Sequence, residues 1–270
     1  MLGRLIGEGR QAEVYNYSKT EVVKLFKSHV TRDMVNYEWQ ISSNLFATGM
    51  PMPRVDKIIE VAGRLGIVFA KIEGPSLLQL ILSGEFPVEK TGNLLAKLHQ
   101  KLHQVHTDQL PSLKTKIINS ISSLALIPSD LKNDLLHICN QLPEDNSVCH
   151  GDFHPDNIII SPKGPVIIDW VNATAGNALA DVARTHLLIS NSRMPDSIKV
   201  TPEIQNMRNK LADYYLNCYL ENQSTSFTSA KKELHLWSEV VAAVRLAEEV
   251  PGETDTLITY IKNLRDELDG

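Results

Sequence analysis

The chain has few cysteines and no long hydrophobic run. Its 270 residues include three cysteines, Cys139, Cys149 and Cys218, and their wide spacing fits neither a disulfide framework nor a zinc motif. No apolar run approaches the roughly 20 residues needed to span a bilayer. The first ten residues lack the apolar core of a signal peptide. We therefore expect a cytoplasmic protein in a reducing compartment, without a membrane partner.

Basic residues are not in excess either. Lysine and arginine number 27 against 32 aspartates and glutamates, so the formal net charge is -5. A nucleic-acid-binding protein usually presents a basic face, and we expect no nucleic-acid partner here. The hydrophobic fraction of 43% is ordinary for a globular protein, and a chain of this length can bury a substantial core. Length, composition and charge do not predict whether the chain is a monomer or an oligomer.

The first 70 residues have the pattern of strands around one helix. The stretch RLIGEGRQAEVYNYS predicts two strands joined by a glycine turn, and EVVKLF predicts a third. A capping threonine, an acid in the first turn and a closing glycine predict a helix over TRDMVNYEWQISSNLFATG. The stretch KIIEVAGRLGIVFAKI predicts a hairpin that turns at Gly63.

Beyond the linker EGPSL the pattern becomes mostly helical, interrupted by a second hairpin with its turn at SPKGP. The predicted fold class is therefore α+β, with a small antiparallel-sheet N-lobe and a larger, mostly helical C-lobe. We place the N-lobe at residues 1–73 and the C-lobe, with the catalytic loop and substrate pocket, at residues 74–270. A cleft between two such lobes is a common place for a ligand.

A glycine-rich loop follows the first predicted strand, in GEGRQAEV. The residues after it predict another strand, and not the helix that a dinucleotide-binding fold requires. Gly7, Gly9 and Val14 instead follow the kinase pattern G-x-G-x-x-G-x-V, in which backbone amides approach phosphate oxygens. Ala12 replaces the third glycine of that pattern. For this loop alone, a simple hairpin turn is the alternative.

Lys24 ends the strand EVVK, ten positions after Val14, as in the V-A-I-K strand of kinases. The alternative is a solvated lysine at a strand edge. An ammonium that holds phosphates must be fixed in place by a carboxylate. Glu38, between aromatic residues in the middle of the predicted helix, is the favoured partner. Asp33 competes, but the helix dipole alone explains an acid in the first turn.

The stretch CHGDFHPDNIIISPKGPVIIDW, residues 149–170, places polar groups at the ends of β-branched runs. Asp152 can accept the proton of an attacking hydroxyl, while Asn157 and Asp169 offer the hard oxygen ligands that magnesium prefers. The spacing H-x-D-x-x-x-x-N, followed by an acid after an apolar strand, is typical of the kinase catalytic loop. A plain hairpin with a solvated aspartate would have to explain three coincidences of spacing. The sequence therefore predicts phosphoryl-transfer chemistry at these three residues.

Together these motifs resemble the aminoglycoside phosphotransferase and choline kinase-like family, relatives of the protein kinases. The glycine loop, the lysine, KIEGPSL, LLAKLHQ, HGDFHPDNIII and NALADVAR occur in the family order, over residues 3–190. The resemblance implies that Asp152 is the catalytic base, that Asn157 and Asp169 bind magnesium, and that Lys24 holds the α- and β-phosphates of ATP.

The resemblance also assigns roles outside the catalytic triplet. It implies that adenine meets the backbone near Ala70 and Ile72, that Asp181 tethers the catalytic loop, and that His150 packs within that loop. Gly151 stands where protein kinases carry the arginine that reads a phosphorylated activation loop. The tryptophan after Asp169 replaces the phenylalanine of D-F-G. Both departures favour a small-molecule kinase, whereas alanine in place of a frequent glutamate at position 70 changes little.

Two further clusters have competing interpretations. His99, His103 and His106 are spaced for one helical face and could bind zinc, but Gln100 replaces the glutamate of H-E-x-x-H, so structural histidines are favoured. A set of four carboxylates near the C-terminus is either a solvated face or an acidic wall that selects a cationic substrate. Its members are Glu248, Glu249, Glu253 and Asp255.

We thus expect an ATP- and Mg²⁺-dependent phosphotransferase that moves the γ-phosphate to a hydroxyl of a small molecule. Aminoglycoside-, choline- or sugar-like acceptors are all compatible with the motifs, and a cationic acceptor is one option. The alternatives are a non-catalytic nucleotide-binding regulator, a protein Ser/Thr kinase and a histidine-based metalloprotein.

Overall fold

A computed structural model describes residues 2–194, 198–221 and 227–269. The chain divides into two compact units. The first comprises Met1–Leu80 and Asp156–Asn172, and the second comprises Ile81–Pro155 and Ala173–Gly270. The predicted domains 1–73 and 74–270 are a division by function and stay a prediction.

The first unit is built on a five-stranded antiparallel sheet with the order β1-β2-β3-β5-β4. The strand and hairpin predictions for this region are confirmed, with a register in which Val14 lies directly opposite Lys24. The strands are β1 (Leu5–Glu8), β2 (Ala12–Asn16), β3 (Glu21–Phe26), β4 (Val55–Val61) and β5 (Arg64–Ala70).

One helix, α1 (Arg32–Phe46), accompanies the sheet and begins where the sequence predicts. The Thr31 hydroxyl accepts a hydrogen bond from the Met34 amide at 3.3 Å, which satisfies one of the donors that a helix N-terminus leaves open. Val35 is fully buried on the inner face of α1, in a cluster with apolar side chains of the sheet. This packing fixes which face of α1 is turned towards β3.

The second hairpin, β7 (Ile158–Ser161) and β8 (Gly164–Ile167), also belongs to the first unit. The predicted turn at SPKGP is confirmed, and Ile158 lies opposite Ile167. Backbone hydrogen bonds attach the hairpin to earlier parts of the chain. Ile160 N–H donates to the Pro75 carbonyl at 2.9 Å, and Ile167 N–H donates to the Pro51 carbonyl at 2.7 Å.

The second unit is mostly helical, as predicted. Its helices begin within α2 (Leu77–Leu82), which crosses the boundary between the units, and end with α9 (Thr254–Asp269). The others are α3 (Val88–His103), α4 (Leu113–Ser123), α5 (Ser129–Gln141), α6 (Ala178–Asn191), α7 (Pro202–Leu220) and α8 (Phe227–Ala247). Large aromatic side chains fill its core, among them Phe153, Tyr215, Tyr219 and Trp237.

A two-stranded sheet in this unit is absent from the sequence prediction. It pairs β6 (Ser147–Cys149) with β9 (Thr174–Gly176) in an antiparallel register. β6 leads directly into the predicted catalytic loop, and β9 leads into α6, so this pairing joins the two segments that carry the loop and this helix. Within the described ranges, no helix combines the length and apolar character needed to cross a membrane.

Candidate active site

Lys24 lies between two carboxylates in the first unit. Its Nζ is 2.7 Å from Glu38 Oε1 on α1 and 2.8 Å from Asp169 Oδ1, which is 145 positions later in the chain. Burial lowers the pKa of Lys24, but the charges of Asp169 and Glu38 outweigh it and raise the pKa well above its usual value. The lysine is therefore charged and fixed, and the predicted contact with Glu38 is present.

Glu38 is buried with 3% of its surface exposed. Burial raises the pKa of its carboxyl group, and the Lys24 ammonium opposes that rise. A carboxylate in this position depends on its cation, because an isolated buried charge is strongly unfavourable. Asp33, the competing candidate, lies in the first turn of α1 as expected for a residue explained by the helix dipole.

Asp169 has an unusual backbone. Its φ of 62° lies in the left-handed region, which non-glycine residues rarely adopt and which costs about 1–2 kcal/mol. Such conformations concentrate at functional sites, where surrounding structure over-determines them. Here the conformation accompanies a carboxylate that contacts Lys24 through Oδ1 and keeps 41% of its side chain exposed. A partly exposed carboxylate held by strained backbone is suited to binding a ligand.

Asn157 and Asp169 flank the open end of the β7–β8 hairpin. Asn157 ends a short 3₁₀ turn, Pro155–Asn157, and its carbonyl accepts a hydrogen bond from Ile168 N–H at 2.9 Å. The predicted return of the chain to the same hairpin edge is therefore confirmed. An amide oxygen and a carboxylate are hard ligands of the kind that Mg²⁺ prefers, and Lys24 engages only Oδ1 of Asp169. The donor set fits a divalent cation.

The glycine loop connects β1 and β2, as predicted. Gly9 N–H donates to the Ala12 carbonyl at 2.8 Å, which closes a tight turn, and Gly7 lies opposite Val14 in the strand pair. Because Val14 is in turn opposite Lys24, the loop and the lysine belong to neighbouring strands of one sheet. Phosphate binding by this loop stays a prediction.

The predicted adenine contacts lie at the end of β5. The Ala70 amide already donates to the Arg54 carbonyl at 2.8 Å, so Ala70 N–H is engaged. Ile72, two residues on, is half-buried. Backbone contact with adenine stays a prediction, and the engaged amide at Ala70 favours Ile72 as the donor.

Asp152 lies in the second unit, in the loop that follows β6. Its Oδ2 is 3.6 Å from His154 Nε2, and its amide donates to His150 Nδ1 at 3.2 Å. Burial raises the pKa of Asp152, but the His154 imidazole and the Arg184 guanidinium lower it well below its usual range. Asp152 is thus an ionised acceptor at neutral pH. An acceptor of this kind can orient a hydroxyl in the loose transition state of phosphoryl transfer.

Asp181 on α6 holds the Asp152 loop, as the resemblance implies. Its Oδ2 accepts from His150 N–H at 2.6 Å, and its Oδ1 accepts from Gly151 N–H at 2.9 Å. Burial raises the pKa of Asp181, but His99 and His103 oppose it, and the pKa lies well below the usual value. The prediction that His150 is a buried packing residue agrees with its complete burial.

The histidines of α3 are structural. His99 Nε2 is 2.9 Å from Asp181 Oδ2, and His99 Nδ1 is 2.6 Å from the Tyr215 hydroxyl. His103 Nε2 lies 3.4 Å from the same Asp181 oxygen. His99, His103 and Asp181 are close enough to surround an ion, but both nitrogens of His99 and both oxygens of Asp181 are already hydrogen-bonded. Burial, followed by the charge of His103, lowers the pKa of His99 to about 3, so this ring is neutral.

The expectation that His106 shares their helical face is wrong. Helix α3 ends at His103, and His106 lies beyond it, where its Nδ1 contacts the Gln104 carbonyl at 3.2 Å. Its side chain is 53% exposed. The three-histidine zinc site is thus contradicted by the position at which the helix ends.

The C-terminal acids do not form one acidic wall. Glu248 is bound to two arginines, Arg184 at 2.7 Å and Arg245 at 2.8 Å. Glu253 is buried and contacts Arg245 through both carboxylate oxygens, at 2.6 and 2.8 Å. Two of the four carboxylates are thus neutralised, and the remaining pair, Glu249 and Asp255, is exposed.

Sequence reasoning did not single out two basic residues beside Asp152. One is His154, two positions after Asp152 within the quoted motif. The other is Arg184, whose Nε donates to the Gly151 carbonyl. Arg184 follows Asp181 by three positions on α6, and residues at that spacing share a helix face. The spacing between Asp181 and Arg184 could therefore have indicated from the sequence that Arg184 lies near the Asp152 loop.

A family model described as a phosphotransferase enzyme family, APH, matches residues 123–213. The matched segment includes Asp152, Asn157, Asp169 and Asp181. The predicted resemblance to the aminoglycoside phosphotransferase and choline kinase-like family is therefore confirmed over this segment, and the predicted enzyme class, a phosphotransferase, agrees with it.

Solved kinase structures share the fold. An amicoumacin kinase in complex with AMP-PNP and Ca²⁺ superimposes with a TM-score of 0.63 at 13% identity, covering 98% of this chain and 88% of that one. An aminoglycoside-3′-phosphotransferase of type VIII gives a TM-score of 0.56 at 16% identity, with coverage of 89% and 91%. A choline/ethanolamine kinase family protein from Mesorhizobium loti gives 0.56 at 14%, with coverage of 98% and 87%. The predicted α+β, protein kinase-like fold is confirmed.

The curated proteins that this chain matches are named as acyl-CoA dehydrogenase family members. Acyl-CoA dehydrogenase family member 11 from Gallus gallus is 28% identical over 174 residues, which are 55% of this chain and 22% of that protein. The protein of the same name from Homo sapiens is 23% identical over 178 residues, 57% of this chain and 23% of its own length. The matched segment therefore spans less than a quarter of these relatives.

Proposed function

We propose that this phosphotransferase-like chain is an ATP- and Mg²⁺-dependent kinase that transfers the γ-phosphate to a hydroxyl group of a small molecule. One observation carries the proposal: Lys24 Nζ contacts Glu38 at 2.7 Å and Asp169 at 2.8 Å. In kinases an ion pair between a β3 lysine and a helix glutamate must be in place together with the metal-binding aspartate. Here the ammonium of Lys24 contacts both the helix glutamate and the aspartate that the resemblance assigns to the metal.

The side chains divide the work of phosphoryl transfer. Lys24, fixed by Glu38, offers a charge to the nucleotide phosphates, and the amides of the Gly7–Gly9 loop offer hydrogen-bond donors. Asn157 and Asp169 would hold Mg²⁺, which supplies charge neutralisation at the phosphates when bound. Asp152 orients the acceptor hydroxyl and takes its proton. Positioning and charge stabilisation of this kind provide most of the catalysis in phosphoryl transfer.

The acceptor is proposed as a class. Relatives of the fold are named as kinases of aminoglycosides, amicoumacin and choline or ethanolamine, so hydroxyl-bearing small molecules are the first candidates. The option of a cationic acceptor loses its original basis, because arginines neutralise Glu248 and Glu253. The cytoplasm, and the expectation of neither a nucleic-acid nor a membrane partner, stay predictions.

The test is a panel of acceptors scored by ADP release in the presence of Mg²⁺. The panel contains an aminoglycoside, choline, ethanolamine, a sugar, a serine-containing peptide and a hydroxyacyl-CoA thioester. The last is included because the curated relatives are named as acyl-CoA dehydrogenase family members. We expect a hydroxyl-bearing small molecule to raise ADP release above the slow background of ATP hydrolysis.

Two variants assign the chemistry. Asp152→Asn should lower turnover by about 10²–10⁴-fold with little change in ATP affinity, because it removes a positioned proton acceptor. Asp169→Ala should abolish the Mg²⁺-dependent hydrolysis itself. Asp213→Asn is the control, since Asp213 is 74% exposed on α7. Full activity in Asp152→Asn would overturn the assignment. Nucleotide binding without turnover on any acceptor would instead identify a regulator, and turnover on the peptide alone would identify a protein kinase.

A further inference from the structure

Both backbone groups of Gly151, the residue before Asp152, are bound to side chains of α6. Its N–H donates to Asp181 Oδ1 at 2.9 Å, and its carbonyl accepts from Arg184 Nε. Gly151 has a φ of 75°, a conformation that glycine adopts without the penalty of other residues. The two peptide groups that flank Gly151 are thus each held by a side chain of α6, and these two side chains lie one helical turn apart.

The Arg184 guanidinium is itself held by a chain of charges. Its Nη2 contacts Glu248 Oε1 at 2.7 Å, and Glu248 Oε2 contacts Arg245 Nη1 at 2.8 Å. Arg245 then binds Glu253 through two hydrogen bonds of 2.6 and 2.8 Å. Glu253 also accepts from the Arg193 amide at 2.7 Å. These contacts connect the Asp152 loop with the segment between α8 and α9.

Because the Arg184 side chain is largely buried, its charge depends on the contact with Glu248. The Arg184 side chain is 12% exposed, and its Nη1 is buried and donates to no atom of the described residues. A buried cation with an unused donor depends on the carboxylate that remains. The Arg245 and Glu253 side chains are 11% and 4% exposed, so their contact is screened little by solvent, whereas Glu248 is 30% exposed.

We infer that Arg184 is a positioning residue for Asp152, and that Glu248, Arg245 and Glu253 are present to hold Arg184. The inference rests on the proposed function, in which Asp152 is the proton acceptor. It also gives the acidic segment after α8 a role: Glu248 and Glu253 fix the catalytic loop through arginines and do not bind the substrate. Burial raises the pKa of Asp152, and His154 and then Arg184 lower it.

The first test compares three variants. Arg184→Met removes the bond to the Gly151 carbonyl, and Glu248→Gln keeps the shape of residue 248 but removes its charge. Glu249→Gln, an exposed neighbour in the same segment, is the matched control. We expect kcat to fall by about 10²-fold in Arg184→Met, the cost typical of misplaced reacting groups. We expect a fall of about 10-fold in Glu248→Gln, an unchanged value in Glu249→Gln, and an ATP KM within about 3-fold of wild type in all three.

The second test does not need activity. Amide hydrogen exchange at residues 149–152 should accelerate in Arg184→Met and in Glu248→Gln, but not in Glu249→Gln. The double variant of Arg184 and Glu248 should lose no more than Arg184→Met alone, because the two residues act in series. If Arg184→Met does not fold, Arg184→Lys replaces it, since lysine keeps the charge but lacks the planar guanidinium that binds Gly151 through Nε and Glu248 through Nη2.

The outcomes separate the two proposals. Unchanged exchange at residues 149–152, or faster exchange with unchanged kcat, overturns the positioning role. Additive losses in the double variant overturn it as well. If the wild type turns over no acceptor and hydrolyses no ATP, the proposed function fails, whereas faster exchange at residues 149–152 in Arg184→Met and Glu248→Gln still supports the role of Arg184 in holding the loop.

Discussion

At the scale of single residues, the Lys24–Glu38 pair combines burial with a short contact. The Lys24 side chain is 18% exposed and that of Glu38 is 4% exposed, so each charge depends on the other. Removing one member of a buried pair leaves an uncompensated charge, and this costs more than the pair contributes. The partner on the other side, Asp169, is more exposed and is the weaker determinant of stability.

We predict that Lys24→Met lowers the free energy of unfolding by about 3 kcal/mol, because Glu38 then stays buried without a cation. Adding Glu38→Leu should restore most of that loss, since it removes the isolated carboxylate. Lys27→Met is the control: Lys27 pairs at 3.1 Å with Glu8, whose side chain is 57% exposed, and the change should stay below about 1 kcal/mol. Urea unfolding measures all three. Equal losses for Lys24→Met and Lys27→Met would contradict the prediction.

Residue identities were predictable where the signal was local. Glu38 was identified because a charge between aromatic residues in a helix requires a partner, and Asp169 because it follows an apolar strand. The partners of Glu248 were not predictable, since Arg184 is 64 positions away and only the folded chain brings the two together. The row of carboxylates in the sequence therefore leaves a solvated face and an acidic wall both open, and it does not predict the arginines that bind Glu248 and Glu253.

At the scale of elements, the β7–β8 hairpin is attached to the chain at Gly74–Ser76. Gly74 has a φ of 140°, and a Cβ at this position would come far inside contact distance of the Ile160 carbonyl oxygen. Backbone cannot give way as a flexible side chain can. The close approach of the linker to β7 therefore requires glycine, and it fixes the hairpin that carries Asn157 and Asp169.

We predict that Gly74→Ala destabilises the fold by at least about 2 kcal/mol more than Gly84→Ala. Both glycines have positive φ, but a Cβ at Gly84 meets nothing within 4 Å, so the control isolates the backbone preference from the steric clash. Thermal and urea unfolding measure the difference. Similar losses in the two variants would show that β7 can shift away from the linker.

Long elements with partners close in the sequence were predictable, whereas short elements with distant partners were not. The hairpin turning at Gly63 has seven-residue strands joined by two positive-φ residues, and that pattern is visible in a short window. The β6–β9 pair was missed because each strand has three residues and the two lie about 25 positions apart. The end of α3 was also misjudged, since the helical spacing of apolar residues continues past His103.

For the whole molecule, the acid sensitivity of folding depends on buried neutral groups. His99 is completely buried, and its pKa of about 3 lies below the ordinary value of 6.5. Between these two values the unfolded chain binds a proton that the folded chain does not. Stability therefore falls as the pH is lowered through this window.

We predict that the wild type loses about 1 kcal/mol more stability than His99→Gln when the pH is lowered from 6 to 5, because one pKa unit corresponds to about 1.4 kcal/mol. His99→Gln will be less stable at pH 7, since it loses the contact with Tyr215. His106→Gln, at an exposed position, should follow the wild-type slope. Urea unfolding at each pH measures the slopes, and parallel curves for wild type and His99→Gln would refute the assignment.

The trio of Lys24, Glu38 and Asp169 carries one positive and two negative charges. This excess of negative charge repels a triphosphate that carries no metal and attracts a divalent cation. On the proposed function, a divalent cation that arrives with the nucleotide would reduce the repulsion between this excess negative charge and the phosphates.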